Sequence, residues 1–310
     1  MMGLLMMNTA QETAHWVGVD WGRSRLRVWM MTRDGVPFAE ESSTKGTEQL
    51  TRDEFEPALL ELIAPYLDRG RVTPVFCAGV AGTHQGWMNV RPITVPCSPP
   101  TQDHKVVVET KDPQISLHLL AGISQINPPD VMQGEETQIM GFLSKEPEFD
   151  GVLCVIGTHT KWVHISAGEI VSFQTFLTGE LLRLLSTQSV LRHSMQGAGG
   201  DQAGFLAALS DAQARPQALA AQLFSLGAGA LISDAPQYDA MARLSGLLIG
   251  VELAAARPYW LGQNVAIVGE GPLCDHYGLA LAEQGVPTSF FDASDLTLAG
   301  LCVVSQLAAG

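Results

Sequence analysis

The chain has 310 residues, of which 46% are hydrophobic and 16% are charged, a composition typical of soluble globular proteins and far from that of disordered chains. This length suits two domains of ordinary size, each large enough to bury its own core. The formal net charge of −14 argues against nucleic acid or an anionic membrane as a partner, because both require a surplus of Lys and Arg. A small anionic substrate is not excluded, since a local cationic cluster can bind one inside an acidic protein.

The cysteines and the apolar segments indicate where the protein resides. The five cysteines are scattered, and three of them lie in apolar runs, so we expect small buried hydrophobes rather than disulfides or metal ligands. This usage favours the reducing cytoplasm. Residues 1–10 show no basic leader, and their apolar run is too short for a signal peptide. The longer apolar stretch at 244–256 is broken by Ser, Gly and Glu, which predicts a buried helix rather than a membrane span.

The first predicted element is a β-hairpin at 16–30. An alternating apolar run ends at Asp20, turns over Gly22 and Ser24, and resumes as a second alternating run. Such a turn can direct backbone N–H groups at a phosphate while the carboxylate holds a hydrated Mg²⁺. An ordinary hairpin with a polar turn explains this segment alone equally well.

Mostly strands follow the hairpin, with one helix and one glycine-rich loop between them. The predicted elements are a strand at 35–42, a helix at 50–67 capped by Thr51 or Asp53, a covered strand at 73–78, a glycine-rich loop at 79–87, and strands at 105–109 and 115–120. A helix is then predicted from Asp130, as its N-cap, to about Leu143.

The second half repeats the opening plan of strand, small-residue turn and strand. A buried strand at 151–156 enters the turn Gly157-Thr-His-Thr160. The elements predicted after this turn are strands at 161–165 and 169–173, helices over 178–256 with a Gly/Ala-rich interruption at 197–204, a strand at 265–268, a turn at 269–271, a helix at 273–284, a strand at 288–291 and a helix from about 294. Two halves with one opening plan predict a duplicated α/β architecture with a cleft between them.

Common nucleotide-binding and hydrolytic motifs are absent from this sequence. It has no Walker-type G-x-x-x-x-G-K-[ST], no Rossmann fingerprint after a strand, no protein-kinase motif set, no G-x-S-x-G and no H-E-x-x-H. A bound nucleotide therefore needs another scheme. Two hairpin turns facing each other across a cleft can hold the phosphates of ATP from both sides, with the turn at 269–271 beneath the adenosine.

Six segments in chain order form a distinctive set. The segments are V-D-W-G-R-S-R-L-R-V-W, C-A-G-V-A-G-T-H-Q-G-W, P-P-D-V-M-Q-G-E-E-T-Q, I-G-T-H-T-K-W-V, F-L-T-G-E-L and L-S-G-L-L-I-G-V-E-L. Together they resemble the 2-dehydro-3-deoxygalactonokinase family, within the actin/hexokinase/Hsp70 superfamily of sugar kinases. The resemblance implies a two-domain actin-like ATPase (ribonuclease H-like) fold with duplicated strand-turn-strand phosphate loops and a central cleft. It implies domains at 1–135 and 136–310, with the last helix packing back on the N-terminal domain.

The resemblance also implies an activity, transfer of the ATP γ-phosphate to the terminal hydroxyl of 2-dehydro-3-deoxy-D-galactonate in galactonate catabolism, with Mg²⁺ held by Asp20. Phosphoryl transfer depends on positioning and charge neutralisation, and the acceptor hydroxyl needs a base. We expect that base among Asp130, Glu135 and Glu136.

Two further sets of residues are expected to bind the substrates. The residues expected to hold the nucleotide are Asp20, Gly22, Arg23, Ser24, Gly157, Thr158, Thr160, Lys161, Gly269 and Gly271. The residues expected to hold the sugar acid are Arg23, Gly82, Thr83, Gln85 and Trp87. His159 is expected to have a structural role only, and Glu180 to cap a helix or reach a water on Mg²⁺.

The chain departs from the family pattern at Gln133, where Met-Arg-Gly-Glu-Glu places an Arg. If that Arg binds the carboxylate of the sugar acid, another cation has to serve here, and the options are Arg23, Arg25, Lys45 and Lys161. Other interpretations stay open: a kinase of the same fold for another sugar or sugar acid, including the gluconate epimer, and, less favoured, a non-catalytic actin-fold sugar sensor. The Ala-rich helices leave a homodimer open.

Overall fold

A computed structural model describes residues 12–100, 104–195, 200–232 and 239–307. The N-terminal run at 1–10 and the first part of the interruption predicted at 197–204 lie outside the described residues.

The first half of the chain forms a mixed sheet covered by one helix. Its elements are β1 (Trp16–Trp21), β2 (Leu26–Met31), β3 (Pro37–Ser43), α1 (Phe55–Ile63), β4 (Thr73–Gly79), β5 (Ile93–Thr94), β6 (Val106–Val108) and β7 (Ile115–Leu119). Six of these strands join in the order β3-β2-β1-β4-β7-β6, with β1 antiparallel to β2 and parallel to β4. The predicted hairpin is therefore confirmed, and this sheet with α1 is called the first lobe below.

The second half builds a second sheet and most of the helices. Its elements are β8 (Ile123–Gln125), β9 (Asp130–Met132), α2 (Glu135–Lys145), β10 (Gly151–Ile156), β11 (Thr160–Ser166), β12 (Glu169–Phe176), α3 (Thr178–Thr187), α4 (Gln202–Ala214), α5 (Leu219–Ile232), α6 (Ala240–Ala255), α7 (Arg257–Trp260), β13 (Val265–Val268), α8 (Pro272–Glu283), β14 (Thr288–Phe291) and α9 (Ala293–Leu307). Five of these strands form a second sheet in the order β12-β11-β10-β13-β14. This sheet with α3 to α8 is called the second lobe below.

The two sheets repeat one topology. In each, a three-strand antiparallel meander continues into two parallel strands, and the first strand of the meander lies at the centre. This repetition confirms the predicted duplicated α/β architecture of the actin-like kind. The division of the chain at 135/136 remains a prediction.

The helix predicted to begin at Asp130 begins five positions later, so that prediction is wrong. Asp130 opens β9, which belongs to a small sheet with β5 and β8, and α2 starts at Glu135 after Gly134. Gly134 has a φ of 110°, a left-handed conformation that breaks the chain direction just before the helix. The Asp130 carboxylate accepts hydrogen bonds from Thr175 instead of capping a helix turn.

Helices α2 and α9 connect the cores of the two lobes. Leu301 of α9 packs in a cluster with Trp16 and Trp29 of the first sheet, whereas Phe142 of α2 packs in a cluster with Leu153 of the second. The two helices cross so closely that a Cβ on Gly141 or Gly300 would collide with a carbonyl oxygen of the other helix. Apolar burial on both sides of this pair therefore joins the lobes.

All five cysteines are free thiols, and Cys77, Cys154 and Cys274 are buried, as expected. In the parts of the chain that the structure describes, no helix is long and apolar enough to cross a membrane, and the apolar stretch at 244–256 belongs to the largely buried α6.

Candidate functional site

A cavity of about 670 Å³ lies where the first turns of the two lobes approach each other. The residues of the expected site that line it are Asp20, Arg23, Thr83, Asp130, Glu135, Gly157, Thr158 and Lys161. A second cavity of about 550 Å³ shares Arg23, Thr83 and His84 with the first and extends to Glu48 and Gln85. The sequence-predicted residues thus converge on one cleft from distant parts of the chain.

Asp20 lies at the end of β1, opposite Arg27 in the ladder with β2. Burial raises the pKa of the Asp20 carboxyl to about 6, the Arg27 guanidinium lowers it, and the carboxylate of Glu135 raises it again. Arg27 itself is held by Ser294 and lies 3.6 Å from Glu40. The charge of the Asp20 carboxylate is therefore disfavoured by burial and only partly offset by Arg27, which suits it to meet a further cation.

The turn after β1 is closed by a 2.9 Å hydrogen bond from the Gly22 N–H to the Arg25 carbonyl. Gly46 packs against this turn so closely that a Cβ there would collide with the carbonyl of Arg23. The Arg23 side chain is 58% exposed, lines both cavities and lies 3.4 Å from Glu48. Its guanidinium is thus available to an anion in the cleft.

Four cations were expected as substitutes for an Arg at position 133, and they differ in whether they line the main cavity. Arg25 donates to Ser42 on the strand next to it, and Lys45 pairs with Glu61. Neither of them lines the main cavity, whereas Arg23 and Lys161 both do.

The second turn, Gly157–Thr160, follows β10 as the first turn follows β1. The Gly157 N–H donates to the His159 carbonyl at 3.1 Å, and the Thr158 carbonyl accepts from the Glu180 N–H at 2.7 Å. The His159 ring lies 2.9 Å from the Glu180 carboxylate, and this contact lowers the pKa of Glu180. Thr160, expected at the phosphates, is instead fully buried, with its hydroxyl 2.9 Å from that of Tyr277.

Lys161 is a buried cation on the floor of the main cavity. Its side chain is 4% exposed, and Nζ donates to the Val131 carbonyl at 3.0 Å and to Thr175 Oγ1 at 2.9 Å. The same Nζ lies 3.7 Å from Glu135 Oε1. A buried ammonium of this kind supplies fixed positive charge beside the acids of the cleft.

The three candidate bases occupy different environments. Asp130 lines the cavity, but its oxygens accept from the Val131 N–H, the Thr175 N–H and the Thr175 hydroxyl, each at 2.7 Å. Glu136 is 2% exposed and accepts the Gly134 N–H with both oxygens, and burial raises its pKa to about 8. Glu135 lines the cavity and accepts the Gln133 N–H at 2.8 Å with one oxygen, which leaves the other beside Lys161.

Several expected contact residues lie away from the main cavity. Trp87 packs on Phe55, with ring centroids 5.8 Å apart, and on Trp21, with centroids 5.9 Å apart, so it belongs to the first-lobe core. Gly82 is buried beneath the loop, and Gln85 lines the second cavity only. The remaining expected residues that do not line the main cavity are Gly22, Ser24, Gly269 and Gly271.

The cavity also contains polar residues that the sequence analysis missed. Asn89 lines it from just after the glycine-rich loop, Gln138 from α2, and Thr175 from β12. Gln138 could have been found, because it lies three residues after Glu135 and therefore on the same helix face. Thr175 carries no local signal, since its place depends on contacts with Asp130, 45 positions away.

The acids of the cavity were tested for their fit to Mg²⁺. Among the described residues no cluster of three or more His, Cys, Asp or Glu could hold a metal ion by protein ligands alone. Mg²⁺ in phosphoryl-transfer sites keeps several waters and uses one or two carboxylates together with substrate phosphates. Asp20, with Glu135 close enough to raise its pKa, fits that mode.

Two lobes of one topology, each with a tight turn after its first strand and a shared polar cleft, define an actin-like fold of the sugar-kinase type. The chain belongs to the 2-keto-3-deoxy-galactonokinase family, whose model matches residues 20–304.

Individual relatives agree with this assignment. A protein of Rhizobium meliloti (strain 1021) named "Probable 2-dehydro-3-deoxygalactonokinase" is 32% identical over 94% of this chain and 97% of its own length. The 2-dehydro-3-deoxygalactonokinase of Escherichia coli (strain K12) is 30% identical over 88% of this chain and 91% of its own. A crystal structure from Sinorhizobium meliloti, assigned to the same kinase, superposes with a TM-score of 0.83 at 30% identity, covering 94% of this chain and 99% of that one.

Proposed function

We propose that the protein phosphorylates the terminal hydroxyl of 2-dehydro-3-deoxy-D-galactonate with ATP, giving the 6-phosphate and ADP in galactonate catabolism. The observation that carries the proposal is membership of the kinase family over residues 20–304. The cleft supports it, because its two turns, its acids and its buried ammonium are the parts that phosphoryl transfer needs.

The phosphates of ATP would lie between the two turns. Gly157, Thr158 and His159 line the cleft from the second lobe, and Asp20 lines it from the first. Backbone N–H groups in a tight turn favour phosphate oxygens. The adenosine would lie over Gly269 and Gly271, which lead into α8.

Asp20 would hold Mg²⁺ through its carboxylate, with water and phosphate oxygens completing the coordination. The ion, when bound, neutralises negative charge on the transferring phosphoryl group. Asp20 suits this position because burial disfavours its charge and Arg27, its opposite neighbour in the ladder, offsets only part of that effect.

Glu135 is the residue we assign as the base. It lines the cleft, and one of its oxygens accepts a backbone N–H while the other lies 3.7 Å from Lys161, whereas Asp130 is held by three donors and Glu136 is buried. As the terminal oxygen of the sugar acid bonds to the γ-phosphorus, its proton passes to Glu135, and the bond from phosphorus to the ADP oxygen breaks. Lys161, 3.7 Å away, offsets part of the negative charge gathered there.

The sugar acid would occupy the second cavity and the region where the two cavities join. Thr83, His84 and Gln85 provide hydrogen-bonding groups for hydroxyls. Arg23 is the cation we assign to the substrate carboxylate, because guanidinium and carboxylate match in geometry. With this assignment the substrate carboxylate needs no cation at Gln133, where the family pattern has Arg.

The test is an ATP-consumption assay with Mg²⁺ and four conditions: 2-dehydro-3-deoxy-D-galactonate, its gluconate epimer, glucose and no sugar. Turnover that requires the galactonate compound supports the proposal. Turnover with another sugar alone would support kinase activity but contradict the proposed substrate. ATP consumption that is independent of added sugar would contradict kinase activity.

Two further assignments accompany the proposal. The reaction is placed in the cytoplasm, a location supported by the five free thiols. A homodimer through the Ala-rich helices is supported by exposed apolar side chains such as Phe224 on α5, which is 74% exposed. Light scattering on the eluting protein distinguishes a dimer from a monomer.

A further inference from the structure

A buried carboxylate in the second lobe, Glu252 of α6, has no part in the proposed chemistry. It is 2% exposed and accepts hydrogen bonds from Trp162 Nε1 at 2.8 Å, from the Tyr277 hydroxyl at 2.6 Å and from the Thr178 hydroxyl. The Tyr277 hydroxyl has one hydrogen, and it donates that hydrogen to Glu252. In the 2.9 Å contact between Thr160 and Tyr277 the donor is therefore the Thr160 hydroxyl.

Such a group costs free energy, since a carboxylate taken out of water needs partners for its charge. Burial raises the pKa of Glu252, and the hydrogen bonds from Thr178, Tyr277 and Trp162 lower it. An apolar side chain would fill the same space at lower cost if packing alone were needed. What the carboxylate adds is a fixed geometry for the groups that donate to it.

Those donors link Glu252 to the turn at 157–160 from two sides. Thr160, the last residue of the turn, donates to Tyr277, and Thr178 begins α3, which packs directly on the turn. The Glu180 N–H donates to the Thr158 carbonyl at 2.7 Å. A Cβ on Gly179 would collide with the carbonyl of Gly157. One carboxylate therefore ties together the exit of the turn and the helix that supports it.

We infer that Glu252 is a positioning residue that fixes the turn Gly157–Thr160 for nucleotide phosphates, through Tyr277 and Thr160 on one side and Thr178 on the other. The inference rests on the proposed function, which places those phosphates at this turn. Donors held rigidly in advance bind developing charge without the cost of reorganisation. Glu252 touches neither the nucleotide nor the sugar acid.

The variant that tests this link most directly is Tyr277→Phe, which removes one hydroxyl and keeps the ring. We expect the KM for ATP to rise about 10-fold while the KM for the sugar acid stays unchanged. Thr160→Val removes the other half of the same bond, so the double variant should be no worse than the poorer single one.

Glu252→Gln is the conservative variant. Its amide can donate to the hydroxyls of Tyr277 and Thr178, which accept after rotating, so the network closes again and the KM for ATP should stay near that of the wild type. Glu252→Leu, which accepts nothing, should raise the KM for ATP at least as much as Tyr277→Phe. Tyr259→Phe is the matched control, because Tyr259 lies in the same lobe outside the network and lines a separate cavity.

The result that overturns the inference is a Tyr277→Phe protein with a lowered melting temperature and an unchanged KM for ATP. A parallel rise in both KM values overturns it as well. Titration calorimetry with ATP runs alongside, so that a wild type that binds ATP without phosphorylating the sugar acid rejects the proposed function and still tests the inference through the Kd for ATP. A wild type that does not bind ATP rejects both.

Discussion

Glu135 and Glu136 are adjacent at the start of α2, yet their carboxylates lie in opposite environments. Glu135 lines the cleft, 3.7 Å from the ammonium of Lys161. Glu136 is 2% exposed and accepts the Gly134 N–H with both of its oxygens. Consecutive helical residues point about 100° apart, so one of the pair faces the cleft and the other the interior. The two residues provide a matched pair for testing which acid serves the chemistry.

Glu135→Gln should lower kcat by about 100- to 10,000-fold, the range for losing a general base, with little change in stability. Glu136→Gln, which removes a carboxylate one residue away, should keep kcat within about 5-fold of the wild type, since it keeps an oxygen to accept the Gly134 N–H. Steady-state kinetics of both variants checks this. Equal losses in the two variants, or a fully active Glu135→Gln, would assign the base elsewhere.

Because of Glu136, the free energy of unfolding of the protein should fall as the pH rises. Burial raises its pKa from the ordinary 4.5 to about 8, so the folded protein binds the proton more tightly than the unfolded chain. The contribution is fully present below pH 4.5 and is lost as the pH approaches about 8. Urea unfolding at about pH 5 and about pH 8 should show the wild type losing about 3 kcal/mol more than Glu136→Gln. Identical pH profiles for the two proteins would contradict this account of Glu136.

Asp20 should make the requirement for Mg²⁺ depend on pH. Its pKa, raised by burial to about 6, means that protonation competes with metal binding as the pH falls through that value. The Mg²⁺ concentration for half-maximal rate should rise below about pH 6 and be flat above it, and Asp20→Asn should lose about 100-fold in kcat/KM. A requirement that is flat down to pH 5, or an active Asp20→Asn, is incompatible with Asp20 as the metal ligand.

Arg23→Gln should raise the KM for the sugar acid by about 10- to 100-fold, because it removes the cation assigned to the substrate carboxylate. Arg25→Gln is the control, since Arg25 lies two residues away but donates to Ser42 outside the main cavity. Initial rates at varied sugar acid and saturating ATP separate the two. Similar KM values for both variants would mean that another residue binds the substrate carboxylate, and Lys161 is the next candidate.

Gly300→Ala should destabilise the protein by about 1–3 kcal/mol, because its Cβ would collide with the Thr137 carbonyl where α2 and α9 cross. Gly200→Ala is the comparison, since a Cβ at Gly200 would meet no atom of the described residues within 4 Å. Denaturant unfolding of the two variants gives the comparison. If Gly300→Ala is as stable as Gly200→Ala, the helices are not as closely packed as the account requires.

Much of the fold could be predicted because its signals are local. Alternation over 16–30 predicts the hairpin, and Thr51 with Glu54 forms the capping box expected near the start of α1. The one wrong helix start, at Asp130, shows the limit of such signals. An Asp before a helical pattern looks like a cap, but hydrogen bonds to Thr175, 45 residues away, hold it in a strand.

The two turns of the site, the acids Asp130 and Glu135 and the residue Thr83 could be predicted, but the buried contacts behind the second turn could not. Asp20, Gly157 and Thr158 line the cleft because each turn follows the central strand of its sheet. Thr160 resembles Thr158 in the sequence pattern, yet it is fully buried, because it is the first residue of β11 and its hydroxyl contacts that of Tyr277, whereas Thr158 lies in the turn before the strand. Its partner network through Glu252 joins residues up to 117 positions apart, and no local pattern encodes it.

The central claim is that the terminal hydroxyl of the keto-deoxy sugar acid receives the phosphate of ATP. Phosphorus NMR of the reaction with 2-dehydro-3-deoxy-D-galactonate, Mg²⁺ and ATP tests it directly. The account predicts ADP and a new phosphomonoester whose phosphorus couples to the two protons on C6. Inorganic phosphate alone, a phosphomonoester on another carbon, or no product would contradict it.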